Sequence, residues 1–127
     1  MFDFHGTCTS HGVTAIVLGG ALLVATPLFL SLFALSTPSE ILLARLAGGF
    51  LLALGATLLG VRDVTDPRLQ RRVVLGNGSC DIVLTGVFAA SSSWLGTPGW
   101  ILAALFSVTA LSWAVAWPRE RGQASVP

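Results

Sequence analysis

Four apolar stretches, each long enough to cross a lipid bilayer, constrain the fold of this chain more than any other feature. They cover approximately Val13–Leu35, Ile41–Val61, Val73–Leu95 and Gly99–Trp117. About 20 apolar helical residues cross the roughly 30 Å of bilayer hydrocarbon. Because 54% of the 127 residues are hydrophobic and only 10% are charged, a soluble domain of this length would leave much of that surface in water. The sequence therefore predicts one transmembrane domain, residues 1–127, built as an all-α bundle of four membrane-spanning helices.

The distribution of arginine predicts the orientation of this bundle. The chain has no lysine, and with four spans the two termini and the second connector lie on one side of the membrane. That side carries Arg62, Arg68, Arg71, Arg72, Arg119 and Arg121, and the seventh arginine, Arg45, lies within span two. Since positively charged connectors remain in the cytoplasm, we expect both termini to be cytoplasmic in an inner (plasma) membrane protein. Because the arginine cluster serves as this topology signal, it implies no nucleic-acid partner.

Proline motifs predict where the helices begin. Thr37-Pro38, Asp66-Pro67 and Thr97-Pro98 each place a capping side chain before a proline, which is favoured in the first turn because its missing N–H needs no partner there. Glu40, three residues after Thr37, predicts a reciprocal capping box. The second of these motifs extends the third helix back to Asp66. Within span one, Pro27 predicts a kink.

Small residues spaced four apart predict close packing of spans one and two. In lipid, such rows mark the faces on which helices approach each other. The rows are Ala15/Gly19 and Ala21/Ala25 in span one, and Ala44/Gly48, Gly49/Ala53/Thr57 and Ala56/Gly60 in span two.

Asp81 is the leading candidate for a functional residue, because it lies inside span three. A charged side chain near the middle of a span costs about 2.5–3.5 kcal/mol on insertion scales. A rotation of about 100° per residue places Asn77, Thr85 and Ser92 within about 40° of Asp81. The polar face that these residues form is expected to look into the bundle or towards a partner.

Two roles for this polar face remain open. Asp81 is a candidate catalytic residue that donates or accepts a proton, with the rest of the face binding a lipophilic molecule. Alternatively, the face is a helix interface, in which Asp81 makes a hydrogen bond to a span-four hydroxyl group. The available hydroxyl groups are those of Ser107, Thr109 and Ser112.

Arg45 is the second candidate for a ligand-binding or interface residue, although it is a poor counter-ion for Asp81. At 1.5 Å of rise per residue, the two backbones differ in depth by roughly 12 Å. We expect Arg45 to extend to the headgroups at the outer surface of the membrane.

The N-terminal segment holds both histidines and one cysteine of the chain, as His5, Cys8 and His11. Imidazole and thiolate groups bind Zn or Cu, so a metal site on this N-terminal arm is an alternative. The spacing matches no standard metal motif, and the sequence predicts no cofactor.

The segment Arg45-Leu46-Ala47-Gly48-Gly49 continuing to Leu54-Gly55, then a short Arg/Asp connector and Gly78…Asp81, resembles the small four-helix bacterial membrane proteins grouped as DoxX-like. The resemblance covers spans two to four. It implies a small bundle protein, and some members of that group are subunits of membrane oxidoreductases.

These observations predict a small accessory or scaffold subunit of a membrane complex, with a redox or transport role. Its partners would be the lipid bilayer and either another membrane protein or further copies of this chain. The alternative is a membrane-embedded binder or enzyme, an acid–base isomerase or cyclase, acting on a lipophilic small molecule such as a quinone, sterol or isoprenoid. In that case Asp81 would supply the acid.

Overall fold

The computed structural model describes residues 3–32 and 37–118, and within these ranges the protein forms five α-helices and no strand. The helices are α1 (Phe4–Val24), α2 (Thr26–Ser31), α3 (Pro38–Val61), α4 (Pro67–Leu95) and α5 (Thr97–Val115). All but α2 are long and apolar enough to cross a membrane. The prediction of an all-α chain with four candidate spans is therefore confirmed. Residues 33–35 of the predicted first span, together with Arg119 and Arg121, lie outside the described residues.

The capping motifs at the starts of α3 and α4 form as predicted. The backbone N–H of Thr37 donates to Glu40 Oε2 (2.6 Å) and the backbone N–H of Glu40 donates to Thr37 Oγ1 (3.3 Å), which completes the capping box. Asp66 Oδ1 accepts from the backbone N–H of Arg68 at 2.8 Å. These bonds satisfy amide groups that the first helical turn leaves without partners, so the chain fixes both starts locally.

The start of α5 differs from the prediction that Thr97 caps it. Gly96 is the residue between α4 and α5, with φ 64° and no side-chain capping bond. Its N–H donates to the Ser92 carbonyl oxygen (2.9 Å), and its own carbonyl oxygen accepts from the Gly99 N–H (3.1 Å). Glycine adopts this left-handed conformation without a steric penalty. One residue therefore ends α4 and begins α5, and Thr97 is already helical.

The first membrane segment is helical from Phe4, nine residues before the predicted start of the span, and it breaks at Ala25. Proline at position 27 has no N–H to donate to the Leu23 carbonyl oxygen. The hydroxyl group of the fully buried Thr26 donates instead, to the Leu22 carbonyl oxygen and more weakly to that of Leu23 (3.4 Å). The predicted kink is thus confirmed as a break between α1 and α2.

The chain forms two compact units, one comprising Cys8–Arg62 and the other Met1–Thr7 with Asp63–Pro127. In the first unit, α1 and α3 run antiparallel and meet at glycines seven residues apart on each helix. A Cβ atom added to Gly19 would lie 2.7 Å from the Gly48 carbonyl oxygen, and one added to Gly55 would lie 2.7 Å from the Gly12 carbonyl oxygen. Backbone therefore contacts backbone at two levels, and the predicted close packing of spans one and two is confirmed.

Only some of the predicted small-residue rows form this contact. Ala15, Gly19, Ala44 and Gly48 are buried. By contrast, the remaining α3 row members Gly49, Ala53, Ala56, Thr57 and Gly60 are all exposed. The buried residues on α3 are Ala44, Gly48, Gly55 and Leu58, which are joined by steps of four, seven and three residues. This spacing keeps one helix face against a partner. A continuous four-residue spacing drifts around the helix and leaves that face.

Candidate functional site

The second unit is built on α4 and α5, which run antiparallel from the turn at Gly96. A Cβ atom added to Gly78 would lie 3.4 Å from the Cβ atom of Trp113. Further along the pair, the rings of Phe88 and Phe106 stack with their centroids 5.5 Å apart. Trp113 therefore packs against α4 at Gly78 at ordinary van der Waals distance, and only 1% of its surface is exposed.

The residues that make these contacts lie on one continuous strip of each helix, which we call the α4–α5 seam. Steps of alternately three and four residues join them, as in the packing of coiled coils. On α4 the seam comprises Arg71, Val74, Gly78, Asp81, Thr85, Phe88 and Ser92. On the opposite side it comprises Gly99, Ala103, Phe106, Ala110 and Trp113 of α5, and Trp117, two residues beyond the end of α5. At its far end, the guanidinium group of Arg71 lies over the Trp117 ring, 5.9 Å from the centroid.

Asp81 is the middle residue of α4, with 14 helical residues on either side. Gly78 lies opposite Trp113, and the two helices are antiparallel. Asp81, three residues after Gly78, therefore lies level with Ala110, three residues before Trp113. Asp81 is half-buried and its Oδ2 atom is shielded from solvent. The carboxyl group is therefore placed within the seam, between the Trp113 contact and the phenylalanine stack.

The polar residues predicted to share a face with Asp81 donate hydrogen bonds within their own helix. Thr85 Oγ1 donates to the carbonyl oxygen of Asp81 itself (2.8 Å), Asn77 Nδ2 to that of Val73 (2.9 Å) and Ser92 Oγ to that of Ala89 (2.6 Å). Such bonds give a polar side chain in an apolar setting a hydrogen-bond acceptor without a partner from another helix. Thr85 and Ser92 share the seam with Asp81, and Asn77 lies at its edge.

The α5 hydroxyl groups that were candidate partners of Asp81 also donate to carbonyl oxygens of their own helix. Ser107 donates to Ala103 (2.8 Å), Thr109 to Phe106 (2.9 Å) and Ser112 to Thr109 (2.7 Å). Each of these three hydroxyl groups therefore has an acceptor within its own helix.

Arg45 belongs to the other unit, on α3. Its side chain is exposed. Among the residues that the structure describes, none forms an ion pair or a hydrogen bond with its guanidinium group.

The three candidate metal ligands lie on α1 and not on an extended arm. His5 is exposed, with Nδ1 3.1 Å from Asp63 Oδ1; Cys8 is fully buried and His11 is half-buried. Each step of three helical residues rotates the side chain by about 60°, and the six residues from His5 to His11 rise about 9 Å. The helix therefore separates them, and no group of three or more His, Cys, Asp or Glu side chains within 3–32 and 37–118 is arranged to hold a metal ion.

Sequence reasoning missed Gly78 and Trp113 as the contact that positions Asp81, and Gly12 and Gly55 as half of the α1–α3 contact. The sequence signal for these contacts was a repeat of small or aromatic residues at alternating steps of three and four residues. A search for small residues four apart misses it, because Gly12 and Gly19 are seven residues apart, as are Gly48 and Gly55.

No protein-family model matches this chain, and none of the curated proteins or solved structures compared with it matches either. The DoxX-like resemblance therefore stays a prediction.

Proposed function

We propose that this chain is a small integral membrane accessory subunit that binds another membrane protein through the side of α4 facing away from the α4–α5 seam. We call this side the outward face of α4. It comprises Gly76, Ser79, Val83, Gly86, Ala90 and Ser93, all of which are exposed. These residues again follow steps of three and four, on the side of α4 opposite the seam.

The single observation that carries the proposal is the low burial of α4. Only 6% of its apolar segment is buried within the chain, compared with 33% for α1. Small residues let a second helix approach closely in lipid, where close packing replaces the hydrophobic force that drives association in water. A Cβ atom added to Gly76 or Gly86 would meet no atom within 4 Å, so the chain leaves room along this face.

The contact between α1 and α3 supports this interpretation, since the same chain already associates two helices in this way. There, Gly12, Gly19, Gly48 and Gly55 bring two backbones together. The outward face of α4 also has glycine, alanine and serine residues at steps of three and four, and these residues are exposed. A partner helix would complete it in the same manner.

The first test is to fill the outward face of α4 with a leucine side chain. Gly86→Leu is expected to release the partner, because the added side chain occupies the space through which a second helix approaches. The isolated chain should still fold, since nothing lies within 4 Å of the new Cβ atom. The measurement is native mass spectrometry of the chain purified in mild detergent from its own membrane.

The matched control is Ala104→Leu, which adds a similar side chain at an exposed position of α5. It should retain an assembly of the same mass as the unmodified chain. The proposal fails if the unmodified chain purifies alone, or if the assembly survives Gly86→Leu.

The second candidate function is a membrane-embedded binder or acid–base enzyme for a lipophilic molecule, and the position of Asp81 favours it. The carboxyl group lies at the middle of α4, between the Trp113 contact and the stacked rings of Phe88 and Phe106. Aromatic and apolar surroundings with few polar groups are typical of sites for such ligands.

Substitution of Asp81 separates the two functions. If the accessory-subunit proposal is right, Asp81→Asn retains assembly, because the amide still makes hydrogen bonds. Asp81→Leu is expected to weaken the α4–α5 pair by about 1–3 kcal/mol through lost hydrogen bonding. The measurement is assembly by native mass spectrometry together with thermal unfolding. Loss of turnover of a quinone, sterol or isoprenoid in Asp81→Asn, with assembly intact, would instead support the enzyme.

We further infer that both termini are cytoplasmic and that the membrane is the plasma membrane. The support is the asymmetry of arginine in the sequence, with six residues on the side of the termini. A redox or transport complex is the partner class that the DoxX-like resemblance favours.

A further inference from the structure

Arg45 is a charged residue on the exposed side of an apolar helix. It has no ion pair or hydrogen bond with any residue in the described part of the chain. A guanidinium group is always charged and carries five N–H donors suited to phosphate and carboxylate. In a membrane it requires an anionic partner or the polar interface.

The position of Arg45 lets its side chain reach the interface at which α3 begins. It lies seven residues beyond Pro38, about 10 Å along the helix. Helical side chains lean towards the N-terminus, and a long arginine side chain extends further in that direction. The only acid of α3, Glu40, lies about 140° around the helix from Arg45, and its carboxylate accepts from the Thr37 N–H. The charge of Arg45 is therefore available to a phosphate group of the lipid.

The surface below Arg45 has the shape that an acyl chain needs. Gly49, Ala53, Ala56 and Gly60 follow it on the same side of α3 and are exposed; we call them the α3 trough. Leu46 and Phe50 stand beside this trough, 52% and 73% exposed. From Arg45 to Ala56 the helix rises about 16 Å, which is close to half of the hydrocarbon thickness. The trough under Arg45 thus extends through one leaflet.

We propose that α3 binds one anionic phospholipid of that leaflet, with its phosphate on the Arg45 guanidinium group and an acyl chain along the α3 trough. Charge complementarity identifies the occupant. The outward face of α4 has similarly small residues but no charge, so it lacks the group that would hold a lipid headgroup. This inference does not depend on the proposed assembly.

The test compares lipid retention by the purified full-length chain in mild detergent, using native mass spectrometry with phosphatidylglycerol and phosphatidylcholine at equal concentrations. The unmodified chain is expected to retain one phosphatidylglycerol in preference to phosphatidylcholine. Arg45→Gln is expected to lower phosphatidylglycerol retention about tenfold, the effect of losing a hydrogen bond to a charged group. Gly49→Leu is also expected to lower it, because the new side chain fills the trough.

The matched control is Arg72→Gln, which removes the same charge from an exposed position in the first turns of α4. It should retain phosphatidylglycerol as the unmodified chain does. Both α3 variants should remain folded by circular dichroism, because Arg45 is exposed and nothing lies within 4 Å of a Cβ atom at Gly49.

Three results would overturn the inference. The first is equal retention of the two lipids by the unmodified chain, and the second is equal loss of phosphatidylglycerol in Arg45→Gln and Arg72→Gln. The third is unchanged phosphatidylglycerol retention in Gly49→Leu. If that variant instead dissociates a dimer, the occupant of the trough is a second copy of this chain.

Discussion

Replacing Gly48 by leucine is expected to separate α1 from α3, whereas the same replacement at the adjacent Gly49 leaves them together. A Cβ atom at Gly48 would lie 2.9 Å from the Gly19 carbonyl oxygen and 3.0 Å from the Leu22 Cβ atom, while nothing lies within 4 Å of a Cβ atom at Gly49. A backbone oxygen cannot move without moving its helix. Overpacking of this kind typically lowers the free energy of unfolding by about 1–3 kcal/mol and occasionally more. The loss in Gly48→Leu should lie at the upper end of this range.

The measurement is thermal unfolding of the two variants in the same detergent, followed by circular dichroism. If Gly48→Leu does not accumulate in the membrane, Gly48→Ala and Gly49→Ala provide the same comparison with a single added methyl group. Equal unfolding temperatures for the paired variants would show that the α1–α3 contact is looser than the structure indicates.

Truncation of Trp113 is the second change with a large expected effect. Only 1% of its surface is exposed, and it lies against the α4 backbone at Gly78. Trp113→Ala leaves a cavity in the α4–α5 seam, and large-to-small changes of this type cost about 3–5 kcal/mol. In lipid the loss comes mainly from dispersion contacts, because the apolar solvent supplies little hydrophobic force.

The matched control is Trp100→Ala, since Trp100 lies on the same helix with 60% of its surface exposed. It should change the unfolding temperature much less than Trp113→Ala. Chemical unfolding followed by the fluorescence of the remaining tryptophans measures both variants. A similar loss of stability in the two would place the stabilising contacts outside the seam.

Several elements follow directly from the sequence because their causes are local. The apolar stretches identify the four candidate spans, and Thr37, Glu40 and Asp66 cap α3 and α4 with groups at most three residues away. Pro27 breaks the first segment because it lacks an N–H. Each of these effects operates within one or two helical turns, so reading the sequence in order is enough to find it.

Other features were not found by reading motifs and neighbouring residues in the sequence. Gly96 alone closes the turn before α5, although the preference for Thr-Pro motifs favoured Thr97 as the cap. His5, Cys8 and His11 lie close in sequence, yet helix rotation separates them. Helical rotation places Thr85 and Ser92 on the same helix face as Asp81, but the sequence could not place any of them relative to Trp113.

The sequence by itself determined the class of this protein, which is an all-helical chain with four apolar helices long enough to cross a membrane. It also determined that one acid, Asp81, lies in the third of these helices. Only the tertiary structure decided that the two helix pairs meet through steps of three and four residues, with Gly19 against Gly48 and Gly78 against Trp113. The physical reason is that hydropathy depends on composition along one segment. Helix contact depends on the register between two segments, which small residues permit but do not specify.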